Sequence, residues 1–321
     1  MNVTRPIIPL LLLACASAPA VKTPAPGTSE LPGDGLTIPV QGADFTPKSQ
    51  DLGYTDGPMK PESRYRVHDS NQPRPPVVTP GTFSSEEKPG IPPSDAAILF
   101  REDADLQKNW ELSDGARPDS WKAENGVFTV GSHSLQTKQK FQDFQLHIEW
   151  SAPHPKDDQG LSGQGRGNSG LFILGRFEIQ ILDNYKSDTY ADGQAGAMYG
   201  QYPPLVNASR PPTTWQVYDV IFLAPRFDDA GKLTRPARVT VMHNGVLLHH
   251  NKAFFGPGTH RNVLIYEPDM AQGPITLQDH GNPVRYRNIW IRPLSAYEGY
   301  EHFPFDDAPP VANENRLYKH P

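Results

Sequence analysis

The chain has one cysteine among 321 residues, so it forms no internal disulfide and relies on a hydrophobic core. It also lacks any local stripe of lysine and arginine, and its net charge is −6, which argues against nucleic acid as a partner. No apolar pattern of helical period extends over ten residues. There is no nucleotide-binding glycine motif, no Gly-x-Ser-x-Gly elbow and no catalytic cysteine, which excludes the enzyme classes built on them.

The N-terminal segment has the pattern of an export signal. Its apolar run, Ile7–Ala14, is far shorter than the roughly 20 residues that a membrane-spanning helix needs. Leu12–Cys15 resembles a bacterial lipobox, so we expect residues 1–15 to be a signal peptide and Cys15 to carry a lipid that anchors the protein to a membrane. The alternative is ordinary cleavage after one of the alanines that follow. We therefore expect a periplasmic or outer-membrane lipoprotein, or otherwise a secreted protein.

Composition divides the rest of the chain into three parts. Residues 16–94 are rich in proline, glycine and serine, and cannot bury enough apolar surface to offset the entropy of ordering. We expect a disordered tether there, of which short stretches drape on the following domain. Residues 95–293 have the composition of a folded domain, and residues 294–321 have the composition of a polar surface tail.

The domain region consists of short runs with the composition of β-strands. Ten runs are predicted as strands: 126–130, 134–137, 144–151, 170–174, 177–182, 217–223, 237–243, 246–251, 275–278 and 284–291. Asn244-Gly245, between two of them, predicts a two-residue hairpin turn. Together these features predict an all-β fold, a two-sheet antiparallel β-sandwich or jelly roll.

Two long connections interrupt the strand pattern, at residues 183–214 and 256–273. Long loops without secondary structure of their own are usually functional or disordered. The first loop holds four tyrosines, which favours a role as the wall of a binding site.

The most informative stretch is Gly167–Asp183, a turn followed by a strand, a glycine bend and a second strand. In the second strand, apolar residues alternate with Glu178 and Gln180, so these two side chains are expected to point away from the core. An acid and an amide on one strand face, with Asp183 at the strand end, form a suitable base for a sugar site.

A set of motifs occurs in a fixed order along the chain: Leu99-Phe100, Trp110, Trp121–Gly126, Phe144–Trp150, Gly167–Asp183, Trp215–Phe222, Gly273–Gly281 and Arg287–Ile289. This order resembles the 3-keto-disaccharide hydrolase domain family over about residues 95–293. The resemblance implies a jelly roll of the concanavalin-like lectin/glucanase type. It also implies cleavage of glycosides whose sugar has been oxidised at C3, in a bacterial envelope.

A more distant similarity concerns laminarinase-type glucanases, which carry Glu-x-Asp-x-x-Glu on a bulged strand. Glu178–Asp183 has this spacing, and a bulge at Ile181–Leu182 would turn Asp183 to the face of Glu178. The middle acid is replaced by Gln180 and the last glutamate by an aspartate. This departure argues against ordinary retaining hydrolysis, which uses two carboxyl groups about 5 Å apart.

A 3-keto sugar allows a different reaction. Its C2 proton lies next to a carbonyl group, so a base can remove it and the group on C1 can then leave. Water can add back to give net hydrolysis. The site needs a base near C2, a donor or metal at the C3 oxygen and an acid at the leaving oxygen.

Three residues are the candidate catalytic groups: Glu178, His280 and Asp183. Glu178 is the first choice for the carboxylate, its alternative being an ordinary surface glutamate. His280 follows a predicted strand and suits proton transfer or stabilisation of an oxyanion, although a histidine at a glycine turn can also be structural. Asp279 is expected to shape that turn.

The candidate substrate-binding residues supply amides, charges and aromatic rings: Gln180, Asn168, Arg166, Gln278, Tyr199, Trp215, Arg287 and Glu149. Tyr199 and Trp215 are possible stacking platforms. Glu149 is a candidate second acid on an adjacent strand. Arg287 is expected either to bind the keto oxygen or to pair with an acid.

No cofactor is assigned, and a divalent cation stays open as an alternative. Its ligands would be His280, Glu178 and Asp183, or loop oxygens at Asp157-Asp158. The sequence thus favours an exported enzyme that cleaves 3-keto-glycosides. A non-catalytic carbohydrate-binding module and a structural envelope protein are the alternatives, and a deep pocket joining Glu178, Gln180 and His280 would favour the enzyme.

Overall fold

The computed structural model describes residues 53–60, 63–157 and 162–294. The predicted signal peptide with Cys15, residues 16–52 of the predicted tether and the predicted tail beyond residue 294 lie outside the described residues. Within the described ranges, no helix has the length and apolar character needed to cross a bilayer.

The described residues form seventeen β-strands and one short α-helix. The strands are β1 (Ala97–Phe100), β2 (Trp110–Leu112), β3 (Lys122–Glu124), β4 (Val127–Thr129), β5 (Leu135–Thr137), β6 (Phe144–Ser151), β7 (Ser169–Ile173), β8 (Phe177–Ile181), β9 (Gln216–Leu223), β10 (Arg226–Phe227), β11 (Leu233–Arg235), β12 (Arg238–His243), β13 (Val246–Ala253), β14 (Gly258–Thr259), β15 (Asn262–Val263), β16 (Thr276–Leu277) and β17 (Arg285–Pro293). The predicted all-β class is confirmed.

The helix, α1 (Asp103–Asn109), has only seven residues, which is too short for its period to stand out in the sequence. Asp103 and Asp105 lie in its first turn and Lys108 in its last, as the helix dipole favours. The Asp105 carboxylate also accepts hydrogen bonds from the backbone nitrogens of Arg101 and Glu102, at 2.9 and 3.1 Å. These hydrogen bonds stabilise the first turn of the helix.

Two antiparallel sheets pack as a sandwich of the jelly-roll type. The larger sheet has the order β13-β12-β9-β6-β17-β4-β3, and β1 pairs with the same edge of β17 as β4 does, further along the strand. The smaller sheet has the order β2-β5-β16-β7-β8, so β8 lies at its edge. Two separate two-stranded ribbons, β10-β11 and β14-β15, lie within connections.

The core lies between the two sheets. In β6, alternate residues Phe144, Leu146, Ile148 and Trp150 are buried and face the smaller sheet. Contacts between the sheets include Phe177 in β8 against Phe222 in β9, with ring centroids 5.7 Å apart. Two core tyrosines add hydrogen bonds across the interface, from Tyr218 to the Gln180 carbonyl oxygen at 2.8 Å and from Tyr286 to the Ser169 hydroxyl at 2.7 Å.

The predicted hairpin at Asn244-Gly245 is confirmed. It joins β12 to β13, with His243 opposite Val246. Asn244 and Gly245 have φ values of 53° and 80°, the left-handed backbone that asparagine and glycine adopt most readily.

Part of the predicted tether packs on the domain. Residues 82–90, here called the N-terminal arm, form a turn in which the Thr82 nitrogen donates to the Ile91 carbonyl oxygen at 2.8 Å. The arm lies against the outer face of the larger sheet, where Arg287 donates to the Ser85 and Glu86 carbonyl oxygens at 2.6 and 3.2 Å. The arm is thus a stretch of residues 16–94 that lies on the domain, as expected for short parts of the tether, and Arg287 of the sheet binds its backbone.

Candidate active site

A row of cross-strand neighbours places Glu178 on the outer face of the smaller sheet. Pairing runs from Glu178 in β8 through Phe172, Thr276 and Gln136 to Glu111 in β2. Directly opposed residues share one face of a sheet, so all five side chains point away from the core. The predicted outward direction of Glu178 is thus explained by the register.

A second row lies beside the first and leaves space for the carboxyl group. Gly170 pairs with Gln180, and the Gln278 nitrogen donates to the Gly170 carbonyl oxygen at 3.0 Å. A Cβ atom on Gly170 would lie only 2.6 Å from Glu178 Oε1 and 2.8 Å from the Phe172 ring. Any larger residue at position 170 would therefore displace the Glu178 carboxyl group or the Phe172 ring.

A cavity of about 370 Å³ lies at the β8 end of these rows, where Glu178, Phe172 and Gln180 line it. Of the predicted site residues, six line it: Asn168, Glu178, Gln180, Tyr199, Gln278 and His280. Its other lining residues are Gln164, Phe172, Tyr190, Gly258 and His260. Glu178, Gln180 and His280 thus line the same pocket.

The aromatic loop reaches the pocket because it extends the smaller sheet. Along the edge of β8, the Tyr199 nitrogen donates to the Glu178 carbonyl oxygen at 3.2 Å, and the Gln180 nitrogen donates to the Ala197 carbonyl oxygen at 3.0 Å. Met198 also forms a bridge with Ile179. This pairing places the Tyr199 side chain at the pocket that holds Glu178.

The side-chain amide of Gln180 lies between Gln164 and Glu178. With its nitrogen towards Gln164 Oε1, at 3.0 Å, its oxygen would face two other acceptors. The flipped amide turns its oxygen to Gln164 and donates to the Ser169 carbonyl oxygen at 3.0 Å and to Glu178 Oε1 at 3.1 Å, an orientation that suits the ionised carboxylate. A protonated Glu178 would instead donate to the amide oxygen.

Burial raises the pKa of Glu178 to about 8. Its side chain is only 6% exposed, and no cation among the described residues pairs with it. Taking a carboxylate out of water without a compensating charge favours the neutral acid. A carboxyl group with a pKa near neutrality is suited to gain and lose a proton during a reaction.

His280 lies at the rim of the pocket on the connection after β16, and its side chain is exposed. Asp279 shapes this turn, as its carboxylate accepts hydrogen bonds from the backbone nitrogens of His133 and Gly281, both at 2.9 Å. The side-chain amide of Asn168, another residue of the pocket wall, is fixed by donating to the Gln164 carbonyl oxygen at 2.6 Å.

Asp183 does not join Glu178 in the pocket. The β7–β8 pairing has no register shift, and β8 ends at Ile181, so the predicted bulge is not formed. Asp183 instead forms an ion pair with Arg166 at 2.7 Å and accepts a hydrogen bond from the Tyr185 nitrogen at 3.0 Å. Neither Asp183 nor Arg166 lines the pocket, and the charges of the two residues pair with each other instead.

Glu149, Arg287 and Trp215 lie on the opposite side of the molecule. β6 is not adjacent to β8 but belongs to the larger sheet, and Glu149 points to its outer face, so both sheets separate it from Glu178. Arg287 pairs with Glu149 at 2.7 Å and stacks on Trp215, with its guanidinium carbon 4.2 Å from the ring centroid. The sequence did not distinguish the two outer faces, since both carry alternating polar residues.

Glu149 is a fully buried charge with several partners. Burial acts to raise its pKa, but hydrogen bonds from His147, Ser84, Asn288 and Arg287 outweigh this and lower the pKa. Burial likewise acts to lower the pKa of His147, but hydrogen bonds to Asp219 and Glu149 raise it to about 9. Both groups are therefore charged at neutral pH, and Glu149 holds the N-terminal arm on the sheet by accepting a hydrogen bond from the Ser84 hydroxyl.

No metal site forms among the residues that the structure describes, because no three of its histidine, cysteine, aspartate and glutamate side chains are grouped closely enough. Of the predicted ligands, Asp183 is bound to Arg166. Asp158, one of the alternative pair, lies outside the described residues.

Four pocket residues were not predicted, namely Gln164, Phe172, Gly258 and His260, whereas Tyr190 belongs to the aromatic loop that was expected to form a site wall. His260 lies at the tip of the β14–β15 ribbon, inside the loop at 256–273 that the sequence analysis noted only for its length. A histidine in a long loop was the available signal. No sequence signal marked Gln164 and Phe172 as site residues, because their proximity to Glu178 depends on the sheet register.

The sandwich fold and a pocket with one buried carboxyl group, amides and imidazoles together define a carbohydrate-active protein of the glycosidase type. Residues 96–292 match the 3-keto-alpha-glucoside-1,2-lyase-like domain family. The match spans more than half of the chain, and the chain belongs to this family.

One solved structure supports the same assignment. A protein of Parabacteroides distasonis ATCC 8503, provisionally named a glycosyl hydrolase, is 40% identical, with a TM-score of 0.61; the alignment covers 71% of this chain and 97% of that one. The chain is also similar to a second provisionally named glycosyl hydrolase of that organism, at 18% identity over 63% of this chain and 94% of that one, with a TM-score of 0.43. No curated protein matches the chain.

Replacing Arg287 should show that the Glu149 cluster is structural. Arg287→Met removes the cation bonded to a fully buried carboxylate, and we expect a loss of about 3–5 kcal/mol in the free energy of unfolding. The control is Arg292→Met on the same strand, whose ion pair with Asp95 is partly exposed and should contribute less than about 1 kcal/mol. Urea unfolding measures both; equal losses would contradict a structural role for the cluster.

Glu178→Gln should change how stability depends on pH. Because the folded protein raises the pKa of this carboxyl from 4.5 to about 8, its contribution to wild-type stability is complete below about pH 4.5 and is lost as pH rises through about 8. The variant has no such loss. Its stability relative to wild type should rise over this window by a few kcal/mol, at about 1.4 kcal/mol per pKa unit. Urea unfolding at pH 5 and pH 8 tests this, and a constant difference would exclude the raised pKa.

Proposed function

We propose that the protein cleaves glycosides oxidised to a ketone at C3, by removing the C2 proton and expelling the group on C1. The observation that carries this proposal is that Glu178 is the only carboxyl group among the described residues lining the pocket. Retaining hydrolysis needs a second carboxyl group about 5 Å away. Elimination next to a ketone needs only one base.

Each step has a candidate group. The Glu178 carboxylate takes the proton from C2, and the electron pair of that bond forms an enolate whose negative charge lies on the C3 oxygen. His280, at the rim of the same pocket, donates to that oxygen. The enolate then collapses, a C1–C2 double bond forms, and the C1–O bond breaks. Addition of water across the double bond gives net hydrolysis.

The raised pKa of Glu178 supports its role as the base. A general base works best when its pKa lies near the pH at which the enzyme operates. Gln180 supports the same role, since its amide can donate to the ionised carboxylate and accept from the protonated acid. The family to which the chain belongs is named for 1,2-lyase chemistry on 3-keto-glucosides, which agrees with this proposal.

The first test compares a 3-keto-glucoside with its unoxidised parent. Wild type should cleave only the keto sugar, and Glu178→Gln should lower kcat/KM by at least about 100-fold because the base is lost. The matched control is Glu111→Gln, the same change at the far end of the same cross-strand row. Its activity should equal wild type. Cleavage of the parent sugar would contradict the proposal, and binding without turnover would favour a carbohydrate-binding module.

Gly170→Ala should separate activity from stability. The added Cβ atom lies within 3 Å of two movable side-chain ends, Glu178 Oε1 and the Phe172 ring, so a small shift relieves the contact. That shift displaces the base, and misplacement by about 1 Å can cost on the order of 100-fold in rate. We expect such a loss in kcat with a change of less than a few degrees in Tm. Unchanged kcat would show that Glu178 does not depend on this space.

A further inference from the structure

A second cavity, of about 600 Å³, adjoins the pocket and shares three of its wall residues: Tyr190, Tyr199 and His260. These three residues form a hydrogen-bonded chain. The two tyrosine oxygens are 2.7 Å apart, and the Tyr199 oxygen is 3.4 Å from His260 Nδ1. A ligand that occupies both cavities therefore passes beside this chain.

The junction is where the bond to be broken would lie. If the oxidised sugar occupies the pocket with Glu178 and His280, the group on its C1 extends into the second cavity. Neither Glu178 nor His280 lines that cavity. The proposed elimination needs an acid for the leaving oxygen, and that acid must come from the shared wall or from the second cavity itself.

The residues shared by the two cavities are tyrosines and a histidine, and the histidine suits the transfer of a proton to the leaving oxygen. Burial and the hydrogen bond with Tyr190 raise the pKa of Tyr199 well above its usual range, so its hydroxyl group keeps its proton. Histidine is the side chain that normally titrates near neutrality. Nδ1 of His260 is occupied by Tyr199, whereas Nε2 forms no hydrogen bond with another described residue and is available to a ligand.

His260 is held in place from outside the pocket. The ribbon that carries it is bound by Gln201, whose side chain donates to the Gly256 carbonyl oxygen at 2.9 Å and accepts from the Phe255 nitrogen at 2.8 Å. The Leu264 nitrogen closes the ribbon by donating to the Pro257 carbonyl oxygen at 2.8 Å. These hydrogen bonds fix the turn that places the His260 imidazole between the two cavities.

We propose that His260 is the general acid that protonates the leaving-group oxygen, and that Tyr199 is the positioning residue for its ring. As the C1–O bond breaks, its electron pair stays on the leaving oxygen, which takes the Nε2 proton of the imidazolium. The products are the unsaturated keto sugar, a neutral alcohol and neutral His260, whose Nδ1–H donates to Tyr199. This assignment rests on the proposed function and adds the third group that the reaction needs.

The test uses two 3-keto-glucosides that differ only in leaving group. A 4-nitrophenyl group leaves without protonation, whereas a methoxy group needs an acid. His260→Gln should lower kcat/KM for the methyl glycoside by about 100-fold or more and for the nitrophenyl glycoside by less than about 10-fold. Glu178→Gln and His280→Gln should lower both alike, because both substrates need the C2 proton removed and the enolate stabilised.

Two further variants make the result specific. Tyr199→Phe should lower kcat/KM for the methyl glycoside more than for the nitrophenyl glycoside, a dependence on the leaving group that a merely structural role for this tyrosine would not produce. Asp192→Asn removes the carboxyl group that lines the second cavity and is the rival acid. Equal losses on both substrates in His260→Gln, or dependence on leaving group in Asp192→Asn instead, would overturn the assignment. If wild type cleaves neither substrate, the proposed function itself fails, and the assignment with it.

Discussion

The burial of one uncompensated carboxyl group, Glu178, is the constraint on which the site depends. Its strand places it on an outer face that water would normally cover, and the aromatic loop and the β14–β15 ribbon enclose it. Gly170 leaves space for the carboxylate where any other residue would contact it. This arrangement is unfavourable for a charged group, and the inter-sheet core provides the stability that lets the fold tolerate it.

The contrast with Glu149 shows how surroundings decide the role of a glutamate. Both carboxyl groups lie on outer sheet faces and both are buried. Glu149 is bonded to Arg287 and to His147, which keeps it ionised and makes it a structural anchor for the N-terminal arm. Glu178 has a single amide for a neighbour, and its pKa rises to about 8. Glu178 is suited to proton transfer because it lacks the cationic partner that keeps Glu149 ionised.

The sequence predicted the fold well because its signals are local. Alternation in Phe144–Ser151 and the Asn244-Gly245 turn depend only on neighbouring residues, and both were confirmed. The outward direction of Glu178 followed from the same rule. The bulge that would turn Asp183 to the face of Glu178 does not occur in the β7–β8 pairing, and Asp183 pairs with Arg166. The spacing of residues in a motif does not determine which distant residue a side chain will contact in the fold.

By itself, the sequence determined the β-sandwich, the outward direction of Glu178 and Gln180, and the family to which the chain belongs. Only the tertiary structure decided which outer face forms the pocket, that Glu149 and Arg287 lie on the other face, and that His260 meets Tyr199 beside Glu178. The physical reason is that strand alternation is set by backbone geometry over a few residues. Convergence depends on sheet order and loop packing, which join residues far apart in the chain.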